Sequence, residues 1–122
     1  MSDYQMGAVE SRFADIIWEN QPITSTELVK RSEMLLNWKK STTYTVLKRL
    51  CEKGIFENNG GIVTARISRE AFASHQSQRF VQETFQGSLP AFLAAFSAGK
   101  KLTAEEIREL RKMVDSYEEG RI

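Results

Sequence analysis

Small hydroxyl side chains and long cationic side chains are grouped between residues 39 and 49 of this 122-residue chain. Hydroxyl groups donate and accept hydrogen bonds, whereas lysine and arginine donate them with a positive charge. Such a set suits the edges of DNA bases and the phosphates beside them. The segment is also amphipathic, because at 100° per residue four side chains fall within about 100° of arc, namely Thr43, Val46, Leu47 and Leu50. We therefore predict a DNA-recognition helix whose apolar face packs on a core.

The opposite, polar face of this helix supplies the first candidate DNA contacts. Ser41, Thr42 and Thr45 are small enough for a helix to lie deep in the major groove, and we predict that they meet base edges. They could equally be exposed hydroxyls with no role. Lys48 and Arg49 are predicted to meet phosphate. The alternative for Arg49 is an ion pair within the chain, for example with Glu52 three residues later.

Flanking residues extend this candidate surface. Tyr44 lies at its edge and either donates to phosphate or packs over Trp38. Lys39 and Lys40 add general attraction to DNA. Three further candidates belong to a predicted β-hairpin, where they could touch the backbone or the minor groove: Asn58, Asn59 and Arg66.

Two helices are predicted before the recognition helix. Apolar residues at helical spacing indicate a first helix over residues 7–20, and Pro22 separates it from the next. Thr24 and Glu27 have the spacing of a capping box, in which the hydroxyl closes the helix start and the carboxylate reaches back. A short second helix is therefore expected over residues 25–33.

An apolar connection leads from the second helix to the third. It consists of residues 34–36 and Trp38, and we expect Trp38 to anchor the turn in the core. The recognition helix is then predicted over residues 40–53. Gly54 suits the left-handed conformation that follows many helix ends.

A β-hairpin is predicted directly after the third helix. Residues 55–57 and 62–67 are β-prone, and they flank a turn of two asparagines and two glycines. Three helices followed by a hairpin form a winged helix-turn-helix. We therefore expect a mainly α fold in which residues 1–69 are a winged-helix DNA-binding domain.

The remaining residues, 70–122, are predicted to form a helical dimerisation domain. Amphipathic segments over residues 70–86, from Leu89 onward and from Thr103 onward are separated by short breaks at glycine. Three helices of this size cannot enclose a core of their own, so we expect their apolar stripes to pack on a second copy. The alternative is a monomer in which they pack back on the winged domain. The predicted dimer interface consists of Phe80, Val81, Phe85, Leu89, Phe92, Leu93, Phe96, Ile107, Leu110, Met113 and Val114.

Charge and composition narrow the function classes. Residues 24–53 hold seven cations against three acids, whereas residues 1–23 hold one cation against four acids, so the excess of positive over negative charge is confined to the region of the proposed helix. Cys51 is the only cysteine and His75 the only histidine, which excludes a cysteine metal cluster and disfavours a catalytic dyad. We expect no cofactor, no metal and no enzymatic activity. With neither an apolar run of membrane-spanning length nor a secretory signal, we expect a cytoplasmic protein.

Several segments resemble the BlaI/MecI/CopY family of bacterial repressors. They are residues 9–19, which end in Ile-Ile-Trp-Glu, residues 38–56 with the motif Thr-Thr-Tyr-Thr-Val-Leu-Lys-Arg-Leu, and residues 102–110. The resemblance spans residues 7–118. It implies a homodimer that binds a palindromic operator and blocks transcription.

The family resemblance also implies a mode of control. In the penicillinase-repressor branch a membrane sensor protease responds to β-lactam, and the repressor is cut in its dimerisation region at a bond that corresponds here to Ala95–Phe96. Members known for this cleavage have asparagine where this chain has Ala95. The paired Cys-x-Cys motifs of the copper-responsive branch are absent from the C-terminal residues.

These observations favour a dimeric transcriptional repressor of the penicillin-resistance type. One alternative is a regulator of the same family that responds to a signal other than β-lactam or copper. Another is a protein-interaction adaptor built on a winged helix, since such folds also bind proteins and the net charge is only +1. A small enzyme or ligand sensor that uses the phenylalanine-rich half is the third.

Overall fold

A computed structural model describes residues 4–120 of the chain, which form six helices and one small sheet. The order of elements is α1 (Ala8–Asn20), β1 (Ile23–Thr24), α2 (Ser25–Leu36), α3 (Lys40–Glu52), β2 (Phe56–Asn59), β3 (Ile62–Ala65), α4 (Arg69–Phe85), α5 (Leu89–Gly99) and α6 (Ala104–Glu118). The predicted fold class is confirmed: the fold is mainly helical, with a winged helix followed by C-terminal helices. The chain divides between Arg79 and Phe80 into a first and a second compact unit.

The first unit has a hydrophobic core to which every one of its early elements contributes. Phe13 and Ile17 of α1, Leu28 of α2, Leu50 of α3 and Val63 of β3 are buried at its centre. These residues recur at the helical spacing of three and four or alternate along a strand, so each element buries one face. The core therefore fixes which side of α3 is left exposed.

Helix α2 is longer than its sequence pattern indicated. The predicted end near Glu33 is wrong, because the helix continues to Leu36 and stops at Asn37, which adopts the left-handed conformation with φ 57°. Asparagine tolerates that conformation better than most residues. Residues 34–36 are thus helical and not a connection, and Met34 and Leu35 lie on the surface. Thr24 does cap the helix, accepting a hydrogen bond from the Glu27 N–H at 3.1 Å.

The predicted hairpin is present, and a third strand joins it. Strands β2 and β3 pair antiparallel around a turn in which Gly60 and Gly61 have φ values of 58° and 90°. Strand β1 pairs with the other edge of β3, with Ile23 opposite Val63, and gives the order β1-β3-β2. The two residues of β1 are too few to show an alternating pattern, which is why the sequence did not reveal them.

Trp18 secures the first turn of α4 within the first unit. Its Nε1 donates to the Ile67 carbonyl at 3.0 Å, and its ring lies 5.5 Å from that of Phe72. The Arg69 guanidinium lies 5.7 Å from the Trp18 ring centroid and 3.1 Å from the Asp15 carboxylate. The start of α4 is therefore held to α1 by both polar and apolar contacts.

The second unit consists of the end of α4 and helices α5 and α6. Ser88 caps α5 by accepting from the Ala91 N–H, and Pro90 lies in the first turn. Thr103 and Glu106 form a capping box at the start of α6, with hydrogen bonds of 3.0 and 2.8 Å. Among residues 80–120 no side chain is buried.

Candidate nucleic-acid interface

The orientation of α3 determines which residues can meet a partner. Thr43, Val46, Leu47 and Leu50 are buried against the core of the first unit. The helix therefore presents its other side to solvent, as amphipathic spacing requires. The predicted contacts that lie exposed along this side are Lys39, Lys40, Ser41, Thr42, Thr45, Lys48 and Arg49. We refer to these residues as the α3 outer face.

Trp38 fixes the angle between α2 and α3. Its ring packs on Phe13 with a centroid distance of 5.0 Å, and its backbone N–H donates to the Ser32 carbonyl at 3.3 Å. The side chain is partly buried, as expected for an anchor of the turn. The rigid turn holds α3 in one orientation relative to the core.

The polar groups of the α3 outer face differ in the hydrogen bonds that they form within the chain. Thr45 donates through Oγ1 to the Ser41 carbonyl at 2.9 Å, so its oxygen retains lone pairs that can accept a hydrogen bond from outside. The helix begins at Lys40 with no side-chain cap from Lys39. The first N–H groups of α3 and their positive dipole end are thus directed at the surface beside Ser41 and Thr42.

The Tyr44 hydroxyl makes a contact within the chain that the sequence analysis did not predict. It donates to Ser25 Oγ at 3.3 Å, and the Ser25 N–H donates to the Gly61 carbonyl at 2.8 Å. This series of contacts joins α3 to the start of α2 and to the hairpin turn. Ser25 is therefore a residue of the site that sequence analysis missed, since its partners are 19 and 36 positions away along the chain.

Arg49 forms an ion pair within the chain, but not with Glu52. Its Nη1 lies 3.0 Å from Oε2 of Glu10 in α1, and the guanidinium side chain is half exposed. Lys48, the adjacent cation, is exposed, and its side chain forms no hydrogen bond or ion pair in the described part of the chain. The two cations thus occupy different environments, although the sequence analysis gave them the same role.

The β-hairpin presents the remaining candidates. The turn consists of Gly60 and Gly61 alone, because Asn58 and Asn59, which were predicted to belong to it, pair with β3 as the end of β2. Both asparagines are exposed, and Asn58 Oδ1 accepts from the Gly61 N–H at 3.0 Å, which stabilises the turn. Arg66 lies just beyond β3, where its side chain is exposed and its N–H donates to the Ile55 carbonyl at 2.9 Å. Ile62 is an exposed apolar residue of the same hairpin that sequence analysis did not select.

The titratable groups near α3 give no sign of catalysis. Burial raises the pKa of the Cys51 thiol, and the negative charges of Glu57 and Glu52 raise it further, so the thiol stays protonated at neutral pH. No group of metal-binding side chains occurs among residues 4–120. Within the same range, no helix has both the length and the apolar character needed to cross a membrane.

The predicted dimer residues of the second unit form an apolar surface. Phe92 is at the centre of an aromatic cluster, with ring centroids 6.0 Å from Phe80, 5.7 Å from Phe85 and 6.2 Å from Phe96. Leu89, Phe96, Ile107, Met113 and Val114 are exposed, and Val81, Leu93 and Leu110 are half-buried. A groove of about 470 Å³ runs between α5 and α6, with apolar walls and the acids of the first α6 turns along its rim.

The bond between Ala95 and Phe96 lies inside α5. Both residues are helical, and Phe96 is 44% exposed. A protease needs an extended segment in its cleft, so cleavage at this bond requires α5 to unfold locally.

Comparison with known proteins identifies relatives along nearly the whole chain. The sequence profile described as "Penicillinase repressor" matches residues 6–116. The penicillinase repressor of Bacillus licheniformis is 25% identical over 117 residues, which cover 93% of this chain and 91% of that protein. The methicillin resistance regulatory protein MecI of Staphylococcus aureus strain Mu50 and that of Mammaliicoccus sciuri are each 22% identical over 116 residues, covering 92% of this chain and 94% of theirs.

Proposed function

The chain belongs to the penicillinase repressor family, and we propose that it is a transcriptional repressor that binds an inverted-repeat DNA operator as a homodimer. The family resemblance inferred from the sequence is thereby confirmed, as is the expectation of a regulator and not an enzyme. The observation that carries the proposal is the α3 outer face, where hydroxyls and cations lie exposed on a helix whose apolar side is fixed in a winged-helix core.

Within this proposal, two copies of α3 enter successive major grooves on one face of the operator. Ser41, Thr42 and Thr45 read base edges, because short hydroxyls let the helix approach closely. Lys48 serves as the phosphate contact, since its ammonium is exposed and pairs with no acid among the described residues that would compete with a phosphate. Lys39, Lys40, Tyr44, Asn58, Asn59 and Arg66 complete the surface around these contacts.

The second unit supplies the dimer contact in this proposal. Residues 70–122 act as the dimerisation domain and residues 1–69 as the DNA-binding domain. The absence of any buried side chain in residues 80–120, together with the cluster around Phe92, supports a second copy as the missing cover. Exposed apolar area of this kind is typical of a protein–protein interface.

Repression would be relieved through the same unit. We propose control of the penicillin-resistance type, in which a membrane sensor protease acts and the Ala95–Phe96 bond is cut, so that the two half-sites lose their link. The names of the relatives support a role in penicillinase or methicillin-resistance regulation. Because Ala95 replaces the asparagine of the family members known for cleavage, a different inducing signal for the same repressor is the second candidate.

Fluorescence anisotropy of a labelled duplex tests the DNA-binding proposal. A family-like inverted repeat is compared with a scrambled duplex at several salt concentrations. We expect preference for the repeat, two chains per duplex and, for about eight neutralised phosphates, a slope of log K against log salt near −7. Equal, salt-independent affinity for both duplexes would contradict the proposal and favour the adaptor alternative.

The contribution of Lys48 is measured in the same assay. Lys48→Gln removes two phosphate contacts per dimer, which should make the salt slope shallower by about 2 and weaken binding to both duplexes alike. Lys101→Gln is the matched control, because it removes an exposed cation in the connection between α5 and α6 that is not among the residues of the proposed surface. An unchanged slope for Lys48→Gln would show that the assigned face is wrong.

A further inference from the structure

The segment before α1 is tied to both α3 and α4. Lys53, at the end of α3, donates through Nζ to the Gln5 carbonyl at 2.6 Å. Gln76 of α4 donates through Nε2 to the Tyr4 carbonyl at 3.0 Å, and the Tyr4 ring lies 4.9 Å from that of His75. We refer to residues 4–10 as the N-terminal strap. Residues 4–7 of the strap are held by these contacts although they lie outside any helix, and residues 8–10 form the first turn of α1.

Glu10 joins the strap to the recognition helix. Its Oε1 accepts from the Gly7 N–H at 3.2 Å, and its Oε2 lies 3.0 Å from Nη1 of Arg49. The Glu10 side chain is 20% exposed, compared with 50% for Arg49. Although partial burial opposes ionisation, the hydrogen bonds from Gly7 and Arg49 and the charge of Lys53 hold the pKa of the Glu10 carboxyl below its ordinary value. The carboxylate is therefore charged and oriented at neutral pH.

Two contacts on α3 lie one helical turn apart. Arg49 and Lys53 are four residues apart, so both project from the same flank of the helix and both meet the strap. The apolar side of α3 determines which face of the helix is exposed, and a small roll about the helix axis would change the angle at which that face is presented. Attachment of one flank at two points resists that roll.

The Glu10 carboxylate also changes what Arg49 offers to DNA. A phosphate that approached the guanidinium would meet a carboxylate 3.0 Å from the same nitrogen, so attraction and repulsion would largely cancel. Among the described residues, no carboxylate forms an ion pair with Lys48. The adjacent cations are thus suited to different tasks.

We propose that the N-terminal strap clamps the recognition helix through Glu10 and Arg49, and that these two act as positioning residues for DNA binding, with Arg49 not serving as a phosphate contact. This inference rests on the proposed function. Base readout needs side chains held within about 0.5 Å and 10–20° of the productive geometry, so a small roll of α3 is enough to weaken binding.

Operator binding by Glu10→Gln and Arg49→Gln separates positioning from contact. If Glu10 acted only through its charge, its neutralisation would remove repulsion and strengthen binding. The clamp predicts the opposite sign, with each variant weakening binding about fivefold per protomer and leaving the salt slope unchanged. Lys48→Gln is the matched control, for which the slope becomes shallower by about 2. Arg49→Lys, which keeps a cation facing Glu10, should recover most of the affinity.

Two results of the binding assay would overturn the proposal. One is stronger or unchanged operator binding by Glu10→Gln, and the other is a salt slope for Arg49→Gln as shallow as that for Lys48→Gln. In addition, native-state hydrogen exchange of the DNA-free protein should show faster exchange in the last turn of α3 for both variants of the pair. Unchanged exchange would show that no clamp holds the helix.

The hydrogen-exchange measurement also keeps this proposal distinct from the proposed function. Wild-type protein that binds neither duplex would refute the repressor function and, with it, the role of the pair in DNA binding. The exchange rates would still show whether Glu10 and Arg49 hold α3. Wild-type binding with unchanged variants would refute the clamp alone.

Discussion

Replacing Phe92 with alanine tests the proposed dimer at the centre of its aromatic cluster. The ring of Phe92 lies within 6.2 Å of the rings of Phe80, Phe85 and Phe96, and it is half-buried in a single chain. Truncating a fully buried phenylalanine costs about 3–5 kcal/mol. Because about two-thirds or more of the Phe92 side chain is already covered before association, about 1 kcal/mol per protomer belongs to the interface. A two-fold dimer loses this twice, so its dissociation constant should rise roughly 30-fold.

Sedimentation equilibrium over nanomolar to micromolar concentrations measures this dissociation constant, and circular dichroism checks that the helices persist. Met34→Ala is the control, since Met34 is an apolar side chain of the first unit that is 81% exposed and outside the predicted interface. Its dissociation constant should equal that of the wild type. A Phe92→Ala protein that keeps the wild-type dissociation constant, with its helices intact, would refute the assignment of the aromatic cluster to the dimer contact.

Three further outcomes are expected. Trp18→Phe removes the Nε1 donor to the Ile67 carbonyl and should lower the free energy of unfolding in urea by about 1 kcal/mol. Thr45→Val keeps the shape of the side chain but removes the hydroxyl oxygen, so competition binding should show about tenfold weaker discrimination at one or two base pairs. Folding lowers the pKa of Glu10, so its carboxylate stabilises the folded protein above the ordinary glutamate pKa of about 4.3. This stabilisation is lost as the pH falls through the pKa of the folded protein. The variant Glu10→Gln should therefore lose less stability than the wild type between pH 6 and pH 3.

Each of these outcomes has a contradicting result. Equal urea stability of wild type and Trp18→Phe would mean that the indole hydrogen bond contributes nothing. An unchanged base preference for Thr45→Val would exclude its hydroxyl from readout. A pH dependence of stability that is identical in wild type and Glu10→Gln would show that the Arg49 ion pair forms no better in the folded protein than in the unfolded chain.

Local rules were sufficient to predict most of the helices. The hydroxyl cap of Thr24 depends on residues three apart, so the sequence itself contains both partners. The buried face of α3 followed from the spacing of its apolar residues in the same way. The hairpin turn was predicted by the glycines that tolerate positive φ.

Contacts between distant segments were not predictable from the sequence. Glu10 and Arg49 are 39 residues apart, and several other acids could have paired with the arginine just as well. Only the packing of α1 beside α3 selects between them. The continuation of α2 to Leu36 shows a different difficulty, because an apolar run with no glycine or proline indicates neither a helix nor a loop by itself.

The second unit shows how an apolar pattern can be correct and still leave its partner undefined. The stripes of α5 and α6 have the spacing of a buried face, yet their residues are exposed in the single chain. The charges of α6 are mixed in both halves, since Arg108 lies among the acids of the first half and Asp115 and Glu118 follow the cations of the second. Spacing determines which side of a helix is apolar, whereas the surface that covers this side depends on residues of another segment or chain. The pattern therefore predicts an interface before it identifies the partner.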